Sequence, residues 1–368
     1  MTDVLRVTYY LTCRPGEDPE DKARGIALEQ SAELPSRCIP ERIYDQVVPR
    51  ISTLEPIPDG RYRLVLDFPE AITGYEPTQL INNLFGNISL KSGIRLHNVE
   101  WTPNLLKSLG GPRFGTSGVR KMLGAGARAL TSTALKPLGL DTKTLAGYCA
   151  DFARGGIDLI KDDHGLCNQA TSPYLERLQA CQNATDEANA STGGKSLYLP
   201  NVTAPRGELE KRLAAAQDAG CKAVLICPFI TGLDALIWAR DNFNLALMAH
   251  PAFAGAVAGA EHGIDPALQL GEITRLFGAD MVVYTNAEGR FPTYDQELCD
   301  RINDRLRRPL GDIRPALPTP GGGVDADRAP HWIRRYGPDV VLLIGGSLYA
   351  QGDLVAAARR LQDLVEEC

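Results

Sequence analysis

Lys161, Asp162, Asp163 and His164 follow directly on the small and apolar run Gly155, Gly156, Ile157, Asp158, Leu159, Ile160. A buried strand that ends in this way delivers four polar side chains to one place. Alternation sets Lys161 with Asp163 on one face and Asp162 with His164 on the other, until the following loop re-aims them. Asp163 offers hard oxygen of the kind Mg2+ takes. Lys161 would repel a metal as an ammonium, but its neutral amine can add CO2 and become a carbamate, an anionic oxygen ligand that a bound metal would trap. The plain alternative is a solvated loop with a Lys161–Asp163 ion pair.

The elements that position this corner are legible in the pattern around it. Short apolar runs at 129–135, 157–161, 197–202, 223–227, 245–249, 281–284, 316–318 and 340–344 read as strands, with helix-length stretches between them that include 208–219, 266–277, 325–336 and 354–367. Eight alternating β/α units predict a (β/α)8 TIM barrel, an α/β fold whose active site lies at the carboxyl ends of its strands; a doubly wound open sheet is the runner-up. Before the barrel, strands at 4–12, 61–68 and 93–101 mix with helices at 19–30 and 77–85 without a regular βαβ repeat, as in a small α+β, ferredoxin-like domain. The Gly/Pro-rich passage at 109–115 separates the two, giving an N-terminal domain at 1–115 and a barrel at 116–368.

The strand ends then form one list: Thr133 and Lys136, then Lys161, Asp163 and His164, then Asn201 and Thr203, then His250. The last two strands end in the runs Gly321-Gly322-Gly323 and Gly345-Gly346-Ser347. Glycines at these two strands let backbone N–H groups surround an anion, and barrel enzymes commonly hold a phosphate there. His250 is a candidate for substrate contact because it ends a strand. His97, His262, His331, Arg113, Arg120 and Trp238 read as packing or ion-pair residues.

Composition narrows the class. With 44% hydrophobic and 23% charged residues the chain suits a soluble globular protein, and no apolar run is long enough to span a membrane. A net charge of −6 argues against a nucleic-acid partner. The start Met1-Thr2-Asp3-Val4-Leu5 lacks the features of a signal peptide, and nine cysteines without a CxxC pair suit neither a disulfide framework nor a zinc site, so a cytoplasmic protein is expected. Cys227 reads as a small buried apolar residue.

Residues 155–163 together with Thr133-Ala134-Leu135-Lys136-Pro137-Leu138-Gly139-Leu140 resemble the large chain of ribulose-bisphosphate carboxylase, whose barrel starts with TxKPKxGL and continues with GGxDxxKDDE. Gly322-Gly323-Val324, Gly345-Gly346-Ser347, Glu29 and Asn83-Leu84-Phe85-Gly86 extend the likeness over most of the chain. The resemblance implies that Lys161 forms the carbamate, that Lys161, Asp163 and His164 occupy the Mg2+ ligand positions, and that Lys136 is an acid/base lysine. It implies phosphate held by Gly322, Gly323, Gly345 and Gly346. It also implies an obligate homodimer in which Glu29 and Asn83 reach the partner's barrel mouth.

The departures are specific. His164 stands where the family has a metal-binding glutamate, and nitrogen suits Mg2+ less well than oxygen. Leu138 replaces the second lysine of TxKPKxGL, Pro251 follows His250 where the family's phosphate-gripping arginine would be, and Asn286-Ala287-Glu288-Gly289-Arg290-Phe291 replaces the GKLEG loop, leaving Arg290 as a charge there. Without a second phosphate grip and a closing-loop lysine, a reactive enediolate would be poorly shielded during CO2 addition. The expectation is therefore a RuBisCO-like enolase or isomerase that moves a proton next to the carbonyl of a monophosphorylated sugar or diketone, such as a methylthio-sugar phosphate, rather than a CO2-fixing enzyme. The alternatives are a decarboxylase or carboxyl transferase on a phosphorylated oxo-acid, and a catalytically silent sugar-phosphate-binding barrel.

Overall fold

The computed structural model describes residues 3–289, 291 and 294–368. The chain divides into two compact units, Met1–Gly110 with Ala254–Gln269 and Leu310–Asp312, and Gly111–Phe253 with Leu270–Pro309 and Ile313–Cys368. The linear division at 115/116 thus moves to 110/111, and two later segments belong with the first unit.

In the first unit the strand Val4–Thr12 turns Leu5, Val7, Tyr9 and Leu11 inward, all fully buried, with Thr8 buried on its other face. It is the centre of an antiparallel sheet in the order Ile94–Glu100, Val4–Thr12, Arg61–Pro69, Arg50–Ile57. Helix Pro19–Glu29 precedes the inner hairpin and helix Pro77–Phe85 follows it, which is the βαββαβ order of a ferredoxin-like fold. Asp18 caps the first helix by accepting the Glu20 and Asp21 N–H groups. Arg50–Ile57, which the hydrophobic pattern does not reveal, is an edge strand with no fully buried residue. The short strand Gly263–Ile264 extends the opposite edge, parallel to Arg95 and Leu96.

The second unit is built on eight parallel strands: Leu130–Leu135, Leu159–Asp162, Leu197–Leu199, Ala223–Ile226, Ala246–Ala249, Met281–Thr285, Leu317–Gly321 and Val341–Leu343. The eighth pairs with the first, the first with the second and the second with the third; the fourth to the seventh form a second ladder. The two ladders join where Val202 N–H donates to Leu225 O at 2.9 Å and Leu225 N–H to Pro200 O at 2.9 Å. At the other junction the strands come so close that a Cβ on Gly321 would lie 3.0 Å from the Leu343 side chain. The ring is filled by Leu130, Leu159, Leu199, Leu225, Met248 and Leu317, a packed core rather than a pore. Leu159 faces this core, so alternation carries Lys161 and Asp163 up the same inner face. The expected helix at 266–277 is instead a π-helical stretch, Ala267–Ile273, followed by Thr274–Leu276; within it a Cβ on Gly271 would come 2.7 Å from that of Arg305. Among the described residues no helix is long and apolar enough to cross a membrane.

Candidate active site

Lys161 is enclosed at the barrel mouth, 1% exposed, with Nζ donating to Asp162 O at 3.0 Å. Burial pushes its amine down to about 8; Lys136 adds to the effect, while Asp163 opposes it. Asp162 faces the other way. Its carboxylate accepts from Arg177 Nε at 3.1 Å, Tyr198 Oη at 2.8 Å and the Asn201 N–H at 3.0 Å, all inside the protein. Arg177 in turn donates to Ser172 O and Cys167 O, so Asp162 anchors the loop that leaves the second strand instead of serving the mouth.

Asp163 is the hub of the site. Its Oδ1 lies 3.3 Å from Lys136 Nζ and 3.5 Å from His164 Nδ1. Burial alone would raise this carboxyl, but the His164 hydrogen bond and the charges of Lys161 and Lys136 hold it well below the usual carboxylate range. The His164 ring stacks on that of His250, with centroids 4.2 Å apart and planes 14° from parallel. Burial, followed by the neighbouring positive groups, pushes His250 well below the usual histidine value, so this imidazole is neutral. First, second and fifth strand ends thus meet here, as the strand-end list anticipates for Lys136, Lys161, Asp163, His164 and His250.

Other expected residues are placed differently. Thr133 shares its face with Thr131, which hydrogen-bonds Asp158 and Gln362 of the last helix, so alternation turns Thr133 toward the helical layer and away from the substrate. In the first unit Asn83 is buried, its Nδ2 donating to Gln30 O at 3.2 Å, and Gln30 Nε2 returns a bond to Asn83 O at 2.7 Å. The Asn83 Nδ2 is therefore turned into its own unit. Glu29 pairs with Lys91 at 3.1 Å and accepts from Asn87 at 3.2 Å. Arg290 lies outside the described residues.

The two glycine loops are neighbours. Gly322 and Gly323 take φ of 80° and 128°, values that favour glycine, and Gly345 opens the short helix Gly346–Tyr349. Ala326 N–H, after the seventh strand, donates to Ser347 Oγ, after the eighth, at 3.1 Å. Tyr349, which the sequence did not single out, and Thr203 of the strand-end list also shape the mouth. Tyr349 Oη accepts the Lys136 N–H and donates to Ala134 O, both at 3.1 Å. Thr203 Oγ1 accepts the N–H of Cys227 at 2.9 Å, where burial raises the thiol. Neither role carries a signal in local sequence.

These residues do not fit the Mg2+ that the resemblance implies. A hard dication takes six or so oxygens, whereas the corner offers one carboxylate facing two lysines and an imidazole. Asp163 Oδ1 already serves Lys136 and His164, and Lys161 presents an N–H donor. Even a carbamate on Lys161 would leave, as third ligand, a nitrogen on a ring stacked against another ring. In this structure Lys161, Asp163 and His164, expected as the metal set, form a hydrogen-bonded and ion-paired cluster instead of a ring of oxygen ligands.

Comparison with known proteins agrees with this architecture. Residues 115–360 match the family model of the ribulose bisphosphate carboxylase large chain, catalytic domain. Ribulose bisphosphate carboxylase-like protein 1 of Rhodopseudomonas palustris is 40% identical over 96% of this chain and 95% of its own. A crystal structure of a Rubisco-like protein from the same organism superposes with a TM-score of 0.90 at 38% identity, covering 100% of this chain and 99% of the other. The 5-methylthioribulose-1-phosphate isomerase of Rhodospirillum rubrum is 37% identical over 96% of this chain and 93% of its own. The 2,3-diketo-5-methylthiopentyl-1-phosphate enolase of Geobacillus thermodenitrificans is 32% identical over 74% and 67%.

Proposed function

The chain belongs to the ribulose bisphosphate carboxylase large-chain family, and from that premise we propose that it is an isomerase- or enolase-type enzyme that moves a proton on the carbon next to a carbonyl. Its substrate class is a monophosphorylated sugar or diketone, such as a methylthio-sugar phosphate. The observation that carries this reading is the convergence of Lys136, Lys161, Asp163, His164 and His250 at one barrel mouth. An amine brought to about 8 and a neutral imidazole are groups that exchange or donate protons near neutral pH. The names of two relatives, a 5-methylthioribulose-1-phosphate isomerase and a 2,3-diketo-5-methylthiopentyl-1-phosphate enolase, support the substrate class. The glycine loops around Gly322, Gly323, Gly345 and Gly346 hold the single phosphate in this reading. Pro251 after His250 removes a side chain that could grip a second. The working assembly is a homodimer, as the resemblance implies.

The test is proton exchange. Purified protein incubated in D2O with 5-methylthioribulose 1-phosphate and related ketose 1-phosphates is expected to exchange the protons beside the carbonyl, followed by NMR. No exchange into any of them overturns the reading. Release of CO2 from a phosphorylated oxo-acid instead would make the enzyme a decarboxylase.

A further inference from the structure

His164 and His250 follow different strands of the barrel, one the second and the other the fifth, yet their rings lie face to face at 4.2 Å. The stack fixes neither ring's proton. Their other partners do. The Ala252 N–H donates to His250 Nδ1 at 3.2 Å, so that nitrogen carries the lone pair and the single proton of the neutral ring sits on Nε2. His164 Nδ1 lies 3.5 Å from Asp163 Oδ1, and a carboxylate only accepts, so a proton on Nδ1 suits this contact. The loop that presents His164 is held in place. Asn201 Nδ2 donates to His164 O at 3.0 Å and to Leu166 O at 2.8 Å, and the Asn201 N–H is anchored on Asp162. The His164 side chain is 45% exposed and therefore accessible from the mouth.

We propose that His164 and His250 form a base and electrophile pair, oppositely tautomeric, in which His164 Nε2 removes the substrate proton while His250 Nε2–H stabilises the oxygen of the adjacent carbonyl. The inference rests on the proposed function and assigns its residues. In the step, the C–H bond breaks and its proton passes to His164 Nε2. The electron pair becomes the C=C bond of an enolate, and the carbonyl π pair moves to oxygen. That oxygen is held by the His250 N–H, with the Lys136 ammonium nearby. Returning the proton from His164 to the former carbonyl carbon, while the hydroxyl proton of the deprotonated carbon passes to the enolate oxygen, completes an isomerisation; returning it to the enolate oxygen completes an enolisation. No electrons leave the substrate and no co-reactant is needed. Asp163 acts through His164 and is a positioning residue. The histidine found where the family places an oxygen ligand is then a change of chemistry: a neutral hydrogen-bond donor and a base replace polarisation by a cation.

Two measurements decide the matter on the full-length, EDTA-treated protein. Nitrogen-15 NMR of labelled histidine reads tautomers directly, with no substrate present; His164 is expected as the Nδ1–H form and His250 as the Nε2–H form. The second uses side-chain amides that reproduce one ring nitrogen at a time. His164→Asn keeps a donor toward Asp163 but has no base at the Nε2 position, and exchange should fall by about 100-fold or more. His250→Gln retains an N–H at the Nε2 position and is expected to stay within about 10-fold of the wild type, whereas His250→Asn loses it and should fall by about 100-fold. Swapped tautomers, undiminished exchange in His164→Asn, or exchange abolished by EDTA and restored by Mg2+ would each overturn the pair. Correct tautomers in a wild-type protein that exchanges no ketose phosphate would overturn the substrate reading instead.

Discussion

A buried lysine amine at about 8 states how the fold treats its charge. In an unfolded chain the same amine titrates near about 10.4. Between those values the unfolded chain holds a proton that the folded one does not, so stability rises as the pH climbs from about 8 to about 10.4. Below 8 the buried ammonium is a fixed cost, at most about 3 kcal/mol by linkage. Lys161→Met, of similar length and uncharged, is therefore expected to gain about 1–3 kcal/mol in urea unfolding at pH 7 and to lose the rise between pH 8 and 10.4. A variant no more stable than the wild type would show that the neighbours, above all Asp163, compensate the charge in full. Single residues were legible in sequence only as far as the strand reached. Lys161 and Asp163 follow from alternation above Leu159, and the resemblance marks Lys136. The tautomers of His164 and His250 depend on partners from distant segments, which no local pattern records. Thr133 was misplaced because a strand-end residue type was weighed without asking which face it shares.

At the scale of elements, all eight barrel strands are visible as apolar runs because both of their faces are buried. Edge strand Arg50–Ile57 is not, since it has no hydrophobic period of its own, and the helix at 266–277 is legible as a helix but not as a π-helical one. The adjacent glycines before the second strand show how one motif serves two purposes. Gly155 ends helix Thr142–Arg154 with ordinary φ and ψ of −78° and −7°, but a Cβ there would lie 2.3 Å from the Ala358 Cβ and 2.8 Å from Val355 O on helix Leu354–Glu366. Gly156 has room, its nearest neighbour being 3.5 Å away, but takes φ of 91°. Gly155→Ala should thus cost about 1–3 kcal/mol by overpacking where the last helix returns to the start of the barrel. Gly156→Ala should lose stability through backbone strain alone. Thermal melts of Gly155→Ala with and without Ala358→Gly separate the causes. The second change should recover part of the loss in the first variant and none in Gly156→Ala.

For the whole molecule, the order of the chain is not the order of its units. Ala254–Gln269 leaves the barrel sequence after the fifth strand and belongs to the first unit, where Gly263–Ile264 pairs with Arg95 and Leu96. Asp265, 1% exposed, accepts from Arg95 Nη2 at 3.1 Å and lies 3.6 Å from His97 Nδ1, while its own N–H donates to Leu96 O at 2.8 Å. His262 Nδ1 accepts the Ile94 N–H at 3.4 Å. A fragment ending at residue 110 would lack all of these, leaving the edge strand Ile94–Glu100 open and Arg95 without its buried carboxylate. Hydrogen bonds to charged groups are worth about 1.5–3 kcal/mol each, against a total of about 5–15 kcal/mol for a typical domain. An uncovered edge strand also invites pairing between chains. Residues 1–110 expressed alone should therefore melt without a cooperative transition and self-associate in gel filtration. The same fragment joined through a flexible linker to 254–269 should recover a cooperative melt as a discrete species. The charge of Asp265 can be tested within that fusion, where Asp265→Asn should weaken the gain. If residues 1–110 melt cooperatively as a monomer, the inserted segment is only an appendage, and the linear division of the chain suggested by its Gly/Pro-rich passage describes the folding units after all.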